Sequence, residues 1–514
     1  MRTRNRWGWG YEDAVISAEE AVAAAAHLPA TLGFAAQPPE APATSFALPA
    51  PKAAVPAELA AFGDASDEAR ALHAYGKSYL DTIRAFRGRY DHAPCFVARA
   101  RNEADVEAVL EWAAGAGAAV IPYGGGTSVV GGVEARVDGP AVCLDVGALD
   151  RVLEVDEVSR AARIQAGAAG PHLEQQLGER GMTLRFFPQS FELSTLGGWI
   201  ATRAGGHFAT RLTHMDDLVE SVRAITPSGA WQSRRLPGSG AGPSPDRMLV
   251  GSEGILGVIT EAWVRVQPKP EHRASRAVTF PAFERGADAV RALAQSGLHP
   301  SNCRLIDELE ARQTASADSP LLVLGFESTD TPVDHLLERG LEICREHGGE
   351  PRASSSSVGD WREAFIRMPY LRDMLVRLGI LADTFETAIT WDRFPAFHAA
   401  VLGATRAALG EPCRVTCRFT HVYPDGPAPY FTVLAPARRG DEEAQWWEMK
   451  RAASDAIIAA GGTITHHHAV GRDHRPWYDA QRPELFAAAL RGAKAAVDPG
   501  AIMNPGVLIP HESA

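Results

Sequence analysis

The chain has 514 residues, enough for two to four domains at about 100–200 residues each, so a single hydrophobic core is not expected. Hydrophobic residues make up 46% and charged residues 22%, a globular composition that argues against a disordered, fibrous or membrane-spanning chain. The net charge of −12 excludes broad binding to phosphate backbones as the main function, so no nucleic-acid partner is expected. The 48 glycines are less ordinary, and their placement is informative.

Cysteine usage and the N-terminus indicate the compartment. The six cysteines are scattered without a C-x-x-C pair, which is typical of reduced thiols in a cytosolic enzyme. The first residues are basic but lead into aromatic and acidic residues, so they do not form a secretory signal. No run of about 18 apolar residues predicts a membrane-spanning helix. The expected location is the cytoplasm.

Residues 1–89 are predicted to form an N-terminal arm and a helical segment. Prolines between residues 20 and 62 prevent one continuous helix, whereas the apolar spacing from Asp67 to Arg89 predicts a helix. Residues 90–272 are predicted to form the next domain, in which Asn102 is expected to cap a helix that ends near Ala116. This domain also has a predicted helix near His172–Glu179, and its predicted strands are Cys95–Ala98, Ala118–Pro122, Ala141–Val146, Arg151–Val155, Ala161–Ala166, Leu218–Ile225, Arg247–Val250 and Gly257–Val266.

Residues 273–454 are predicted to form a separate α+β domain, with one sheet covered by helices on one side. The C-terminal segment, residues 455–514, is predicted to return to the first domain, because residues 499–506 form a loop too elaborate for a simple end. The predicted strands of the α+β domain are Ala277–Phe280, Ser301–Ile306, Leu321–Phe326, Val415–Tyr423 and Tyr430–Leu434, and its helices are Ala282–Gln295, Val333–His347, Pro395–Leu409 and Glu443–Ala460.

Three glycine-rich segments lie in the region 90–272. In Pro122-Tyr-Gly-Gly-Gly-Thr-Ser128, three glycines free backbone N–H groups to turn toward one anion, and two hydroxyls add donors. That loop alone also fits a flexible surface loop. With Thr195–Ala204 and Gly251–Ile259, however, the pattern favours a long ligand with a pyrophosphate in its middle. No G-x-G-x-x-G follows a strand, so a Rossmann site has no support.

These segments, together with Pro188–Trp199 and Thr465-His-His-His-Ala-Val-Gly471, resemble a known family. The glycine loops resemble the FAD-binding domain of the vanillyl-alcohol oxidase and p-cresol methylhydroxylase type. The triple histidine and Phe191–Trp199 are similar to the alkyldihydroxyacetonephosphate synthase branch. The resemblance implies an α+β fold, with a two-part FAD-binding domain and an α/β cap domain for the substrate.

The resemblance also implies that the protein binds FAD. No His or Cys lies at residues 122–132 to tether the flavin, so non-covalent binding is expected. The residues that would hold FAD are Pro122, Tyr123, Gly124, Gly125, Gly126, Thr127, Ser128, Pro188, Gln189, Ser190, Phe191, Glu192, Leu193, Ser194, Ala201, Thr202, Arg203, Ala204, Glu253, Gly254, Ile255, Leu256, Gly257, Val258 and Ile259.

Further residues match the family's catalytic and substrate-binding positions. Arg372, in Pro-Tyr-Leu-Arg-Asp, matches a substrate-binding arginine. Judged without the resemblance, Arg304 and Arg372 are ordinary surface charges, and Tyr430 is a core residue. The implied catalytic residues are Tyr430, Arg304, His466, His467 and His468.

The three histidines are expected in a strand, where His466 and His468 would share one face. One imidazole could act as a base or hydrogen-bond relay, and a nearby imidazolium would lower the pKa of the catalytic tyrosine. A metal would need a further ligand, for which Asp473 and His474 are nearby candidates. No metal site is expected.

The resemblance implies an exchange of the acyl group of acyl-dihydroxyacetone phosphate for a long-chain fatty alcohol, with no net redox change. A homodimer is expected, with peripheral membrane docking through the aromatic N-terminal stretch Trp7–Tyr11. One alternative is an FAD-linked 2-hydroxy acid dehydrogenase or oxidase on the same fold, because fold does not fix chemistry. Another is a flavin-binding protein without catalysis.

Overall fold

A computed structural model describes residues 2–315, 317–352 and 368–510. At the N-terminus, the helical pattern of residues 67–89 forms two helices instead of one. The break places Gly76 so close to the first glycine loop that a Cβ would lie 2.1 Å from the carbonyl oxygen of Ser128. Ser78 then caps the next helix by accepting a hydrogen bond from the Asp81 amide at 3.0 Å. The elements are α1 (Ala18–Ala25), α2 (Leu28–Leu32), β1 (Gly63–Asp64), α3 (Asp67–Leu72) and α4 (Tyr79–Phe86).

The first glycine loop follows a small sheet of order β1-β2-β4-β3, in which β2, β4 and β3 are parallel. The helix of this unit begins as predicted, because the Asn102 side chain accepts a hydrogen bond from the Asp105 amide at 2.9 Å. It ends at Gly117, whose φ of +60° suits glycine. The elements are β2 (Phe96–Arg99), α5 (Glu103–Ala116), β3 (Ala119–Tyr123) and β4 (Ala141–Asp145).

A second, antiparallel sheet has the order β5-β6-β10-β8-β9. The glycine-rich segment Gly251–Ile259 leads into its strand β10, whereas the segment Thr195–Ala204 forms mainly a helix, with Thr195 as its N-cap, instead of the expected loop. The predicted strand Arg247–Val250 is wrong, since the residues form a short helix after Pro245 that buries Leu249. A four-residue run is too short for periodicity to separate strand from helix. The elements are β5 (Val152–Asp156), β6 (Ala161–Gln165), α6 (Gly170–Gly178), β7 (Met182–Thr183), α7 (Leu196–Thr202), β8 (Val219–Thr226), β9 (Gly229–Gln232), α8 (Asp246–Leu249), β10 (Val258–Arg265) and β11 (Gln267–Pro268).

A seven-stranded antiparallel sheet of order β15-β12-β14-β13-β17-β18-β16 follows. Its strand Ile380–Glu386 was not predicted. The short strand Glu350–Pro351 and the helices Glu308–Thr314 and 368–377 were not predicted either. The strands and helices that were predicted here are found within about five residues of their expected bounds. The elements are β12 (His272–Thr279), α9 (Phe283–Gln295), β13 (Asn302–Ile306), α10 (Glu308–Thr314), β14 (Leu321–Ser328), α11 (Asp334–Glu346), β15 (Glu350–Pro351), α12 (described over residues 368–377), β16 (Ile380–Glu386), α13 (Phe394–Leu409), β17 (Arg414–Val422), β18 (Pro427–Pro436) and α14 (Glu442–Ala459).

The C-terminal segment contains α15 (Arg475–Gln481) and α16 (Glu484–Val497) and then returns to the glycine loops. The Asn504 amide group donates to the carbonyl oxygens of Gly132 at 3.1 Å and Glu253 at 2.8 Å. These bonds join two of the glycine loops through the tail. Among the described residues, no helix is long and apolar enough to cross a membrane.

Candidate active site

One cavity of about 620 Å³ lies between the three glycine-rich segments and the seven-stranded sheet. It is the place where most of the predicted FAD residues meet the predicted catalytic residues. The predicted FAD residues that line it are Pro122, Tyr123, Gly124, Gly125, Gly126, Thr127, Ser128, Pro188, Gln189, Ser190, Ser194, Ala201, Thr202, Ala204, Glu253, Gly254, Gly257, Val258 and Ile259.

The first glycine loop presents unpaired backbone donors to this cavity. None of the amides of residues 124–129 donates a hydrogen bond to another described residue. Gly125 must be glycine, because a Cβ there would lie 2.0 Å from the carbonyl oxygen of Leu193. Gly126 has a φ of +64°, the left-handed region that glycine adopts freely. Successive unpaired N–H groups form an anion-binding concavity, which fits the pyrophosphate of FAD.

The third loop is tied to the chain that follows the histidine triplet. The buried Glu253 carboxylate accepts hydrogen bonds from the amides of Val470 at 2.9 Å and Gly471 at 2.7 Å. Burial raises the pKa of Glu253 to about 7, against the lowering effect of those bonds. This glutamate therefore holds the triplet segment against the flavin side of the cavity.

Six of the predicted FAD residues lie outside the cavity lining. Glu192 accepts a hydrogen bond from the Tyr370 hydroxyl at 2.6 Å, and Arg203 forms an ion pair with Asp216 at 3.0 Å. The apolar members pack inside the flavin region. These residues support the loops and do not face the ligand space. The six are Phe191, Glu192, Leu193, Arg203, Ile255 and Leu256.

Tyr430 lies on β18 in the cavity wall, and its hydroxyl donates to Thr384 Oγ1 at 2.9 Å. Burial raises the pKa of Tyr430, while the charge of Arg418 and the bond with Thr384 lower it. The guanidinium carbon of Arg418 is 4.0 Å from the centroid of the tyrosine ring. The two residues are register partners on β17 and β18. The cation beside the tyrosine is therefore an arginine.

The expected strand at the histidine triplet is wrong. Residues 466–468 form a bend, because their three backbone amides converge on the Glu386 carboxylate at 2.6, 3.1 and 2.8 Å. The Thr465 hydroxyl donates to the same carboxylate at 2.5 Å. Burial alone would raise the pKa of Glu386, but these donors, together with the charge that the neighbouring histidines carry once protonated, lower it to about 2.

The bend places His467 and His468 in the cavity lining and His466 behind them. Burial lowers the pKa of all three histidines, and neighbouring histidines lower those of His466 and His467 further. Burial therefore acts against the expected imidazolium beside Tyr430, since it disfavours the charged form.

The two predicted arginines reach the cavity from different elements. Arg304 lies on β13, where burial and the charge of Arg418 lower its pKa to about 9. Arg372 lies on α12 and donates to the carbonyl oxygen of Lys77 at 2.5 Å. Its Nε and Nη2 atoms are buried and have no hydrogen-bond partner among the residues that the structure describes. A buried guanidinium with unused donors suits a carboxylate or phosphate group of a ligand.

Sequence reasoning missed Arg418, Glu386 and Lys77. Arg418 pairs with Glu310 at 2.8 Å, and both side chains are buried. The sequence offers little signal for Arg418, because the strand-like stretch 413–423 also contains Arg414, Thr416, Thr420 and His421. Lys77 lines the cavity near the first glycine loop, and burial lowers its pKa to about 8.

The aromatic N-terminal stretch does not form an exposed docking surface. Trp7 and Trp9 are buried, and the Trp9 amide donates to the Asp373 carboxylate at 2.6 Å. Arg4 donates to the carbonyl oxygen of Gly125 at 2.8 Å. The stretch instead joins the first glycine loop to the helix that carries Arg372.

The fold and the cavity define an FAD-dependent enzyme whose fold is of the p-cresol methylhydroxylase type. The chain matches the FAD binding domain over residues 94–233 and the C-terminal domain of FAD linked oxidases over residues 269–508. A structure of p-cresol methylhydroxylase with substrate bound superposes with a TM-score of 0.72 at 15% identity, over 88% of this chain and 94% of the other.

The chain belongs to the alkyldihydroxyacetonephosphate synthase family. Over 476 aligned residues, it is 30% identical to the alkyldihydroxyacetonephosphate synthase of Trypanosoma brucei brucei. The alignment covers 86% of this chain and 77% of the relative. An alkyldihydroxyacetonephosphate synthase structure superposes with a TM-score of 0.82 at 24% identity, over 98% of both chains.

Proposed function

We propose that this enzyme exchanges the acyl group of acyl-dihydroxyacetone phosphate for a long-chain fatty alcohol, which yields an ether lipid and a free fatty acid. The observation that carries the proposal is that Tyr430, Arg304 and Arg372 line one cavity with the flavin loops. When bound, FAD supplies an electron-accepting ring that allows a carbon–oxygen bond to be exchanged with no net redox change.

Tyr430 is the proposed base for the substrate carbon that carries the acyl group. A proton next to a carbonyl is removed only by a base with a matched pKa. The phenolate would lie in a buried site, so it needs a nearby positive charge. Arg418, 4.0 Å from the ring centroid, provides that charge, and the Thr384 hydroxyl oxygen accepts the hydrogen bond of the phenol.

The anionic parts of the substrate need cations at fixed positions. Arg372 offers Nε and Nη2 to the leaving carboxylate, and Arg304 offers a second positive charge in the same cavity. Charge-assisted hydrogen bonds inside a low-dielectric site stabilise a developing anion more than they would in water.

The alkyl chains need an apolar surface, and one wall of the cavity provides it. Leu28 and Leu32 come from the N-terminal helices, whereas Met374, Leu375 and Leu434 come from α12 and β18. Most of these side chains belong to one hydrophobic cluster. A lipid substrate is therefore better matched than a small polar acid.

The hydroxy acid alternative would need a histidine base and a carboxylate-binding arginine at the flavin. Histidines and arginines do line the cavity, but family membership and the apolar wall favour the exchange. Anaerobic mixing with lactate or glycolate distinguishes the two reactions. The proposal expects the flavin absorbance band to persist, and bleaching of the band would contradict it.

The direct test follows labelled hexadecanol in the presence of acyl-dihydroxyacetone phosphate. The purified protein should contain acid-releasable FAD and transfer the label into an ether lipid. Tyr430→Phe should abolish the transfer. Tyr90→Phe is the matched control, because Tyr90 is buried among aromatic residues of the N-terminal region, away from the cavity. Equal loss in both variants would contradict the role of Tyr430.

Cytoplasmic location, homodimerisation and peripheral membrane docking belong to the same proposal. A long-chain alcohol partitions into bilayers, so an enzyme that uses it must take it up at a membrane surface. Sedimentation with lipid vesicles tests the docking, and light scattering of the holoenzyme tests the dimer.

A further inference from the structure

The proposed exchange releases one proton in every turnover. An ester R′COO–CH₂R″ and an alcohol ROH give the ether RO–CH₂R″, the carboxylate R′COO⁻ and H⁺. The bond from CH₂ to the acyl oxygen breaks, the bond from CH₂ to the alkoxy oxygen forms, and the alcohol proton is left. That proton must leave a buried corner of the cavity.

A continuous hydrogen-bond chain leads away from this corner. His467 Nδ1 lies 3.0 Å from His466 Nδ1, and His466 Nε2 lies 2.7 Å from the Tyr423 hydroxyl. The Tyr423 hydroxyl lies 3.0 Å from Thr213 Oγ1, which lies 3.3 Å from His214 Nδ1. Every member of the chain can both donate and accept a proton.

The outer end of the chain fixes its direction. His214 Nε2 lies 3.0 Å from the carbonyl oxygen of His466, and a carbonyl can only accept, so Nε2 carries the hydrogen. In the neutral imidazole, Nδ1 is then an acceptor and takes the Thr213 hydroxyl hydrogen. By the same reasoning, the Tyr423 hydroxyl donates to Thr213, and His466 donates through Nε2 to Tyr423. His467 then donates through Nδ1 to His466.

The two ends of the chain lie in suitable surroundings. His467 lines the cavity with Tyr430, and their ring centroids are 6.1 Å apart. Because Nδ1 of His467 faces His466, Nε2 is the nitrogen left for the ligand side. Thr213 is buried, whereas His214 is half-buried and its amide lies 3.4 Å from the carboxylate of the exposed Asp217.

We propose that His467, His466, Tyr423, Thr213 and His214 form a proton relay that carries the proton of each exchange from the cavity to the ring of the half-buried His214. The relay rests on the proposed function, which supplies the proton. Neutral imidazoles are needed for transfer through tautomers, and burial lowers the pKa of His466 and His467.

A metal site is the competing interpretation of these histidines. Ligand atoms of His421, His466 and His467 lie within 4.8 Å of one another. However, His421 uses Nε2 with the Gly206 carbonyl at 3.1 Å and Nδ1 with the Thr420 hydroxyl at 3.2 Å. Both nitrogens of His466 are also engaged, so the protein's own hydrogen bonds already occupy these atoms.

The test uses Tyr423→Phe holoenzyme, with Tyr90→Phe as the control, in the hexadecanol assay. General acid–base groups typically contribute about 10²–10⁴ in rate, so loss of one relay hydroxyl should lower kcat at least about tenfold. KM should stay unchanged. Added imidazole buffer should restore kcat in a concentration-dependent way, because a diffusing carrier replaces the missing link. A purely structural defect would not respond to buffer.

Several outcomes would overturn the relay. One is ether formation by Tyr423→Phe at the wild-type rate, or a loss that imidazole does not restore. If this variant loses its flavin spectrum, Thr213→Val is measured in the same way and decides. Stoichiometric zinc in the purified holoenzyme would assign the histidines to a metal. Absence of ether formation by the wild type would instead refute the exchange itself.

Discussion

Arg418 lies with its guanidinium carbon 4.0 Å from the centroid of the Tyr430 ring, and the two residues face each other across β17 and β18. The arginine is also paired with the buried carboxylate of Glu310 at 2.8 Å. One cation therefore serves two buried groups, a structural carboxylate and the proposed catalytic phenol.

Arg418→Met should remove both roles, with one effect on the rate and another on the stability. Loss of the charge should lower kcat for ether formation about 100-fold or more, within the range of general acid–base contributions. It should also destabilise the fold by about 3–5 kcal/mol, because Glu310 is left buried and unpaired. Denaturant unfolding and steady-state kinetics measure the two effects.

The double variant Arg418→Met with Glu310→Leu is the control. Replacing both members of a buried ion pair by apolar residues is often neutral for stability, so the free energy of unfolding should recover. The rate should not recover. If activity returned together with stability, the proposed effect of Arg418 on Tyr430 would be wrong.

Glu386→Gln should loosen the histidine bend. Hydrogen bonds to a charged acceptor contribute about 1.5–3 kcal/mol each, and an amide can replace only part of that acceptor capacity. We expect a loss of about 2–3 kcal/mol in the free energy of unfolding, together with reduced activity. Calorimetry measures the difference, with Glu111→Gln as the control, because the same change is made there on an exposed helix residue.

The same carboxylate should contribute to acid sensitivity. Its folded-state pKa of about 2 lies below the ordinary value of 4.5, so its stabilising effect is complete above about pH 4.5 and is lost as the pH falls toward 2. Glu386→Gln should flatten this part of the stability profile. An unchanged slope between pH 4.5 and 2 would contradict the assignment.

In the apoprotein, Glu253 should make the fold less stable as the pH rises, which is opposite to the effect of Glu386. Its pKa is raised from 4.5 to about 7, so the folded state holds the proton more tightly than the unfolded state. Stability should then fall as the pH rises from about 4.5 to 7, by at most about 3 kcal/mol. Urea unfolding at several pH values measures this slope, and Glu253→Gln should remove it.

The glycine loops could be predicted from the sequence because their requirement is local. Gly126 needs a positive φ, and such a need appears directly as glycine. Arg418 and Glu386 gain their roles from strand pairing, since both are register partners of Tyr430. The missed strand Ile380–Glu386 therefore hid the carboxylate, and with it the reason why the histidine triplet bends.

The first glycine loop offers a test of cofactor binding that does not depend on the reaction. In Gly125→Ala, the new Cβ would lie 2.0 Å from a backbone carbonyl oxygen, which cannot move aside as a flexible side chain can. The loop must shift, and its unpaired amides then no longer point at one anion.

Gly492→Ala is the matched control, because nothing lies within 4 Å of a Cβ at Gly492 in its helix. The control should gain about 0.5–1 kcal/mol of stability from helix propensity. Titration of the apoproteins with FAD, followed by flavin fluorescence, should show at least about a tenfold weaker Kd for Gly125→Ala, since 1.4 kcal/mol is one factor of ten. Equal affinities in the two variants would show that this loop does not hold the flavin phosphates.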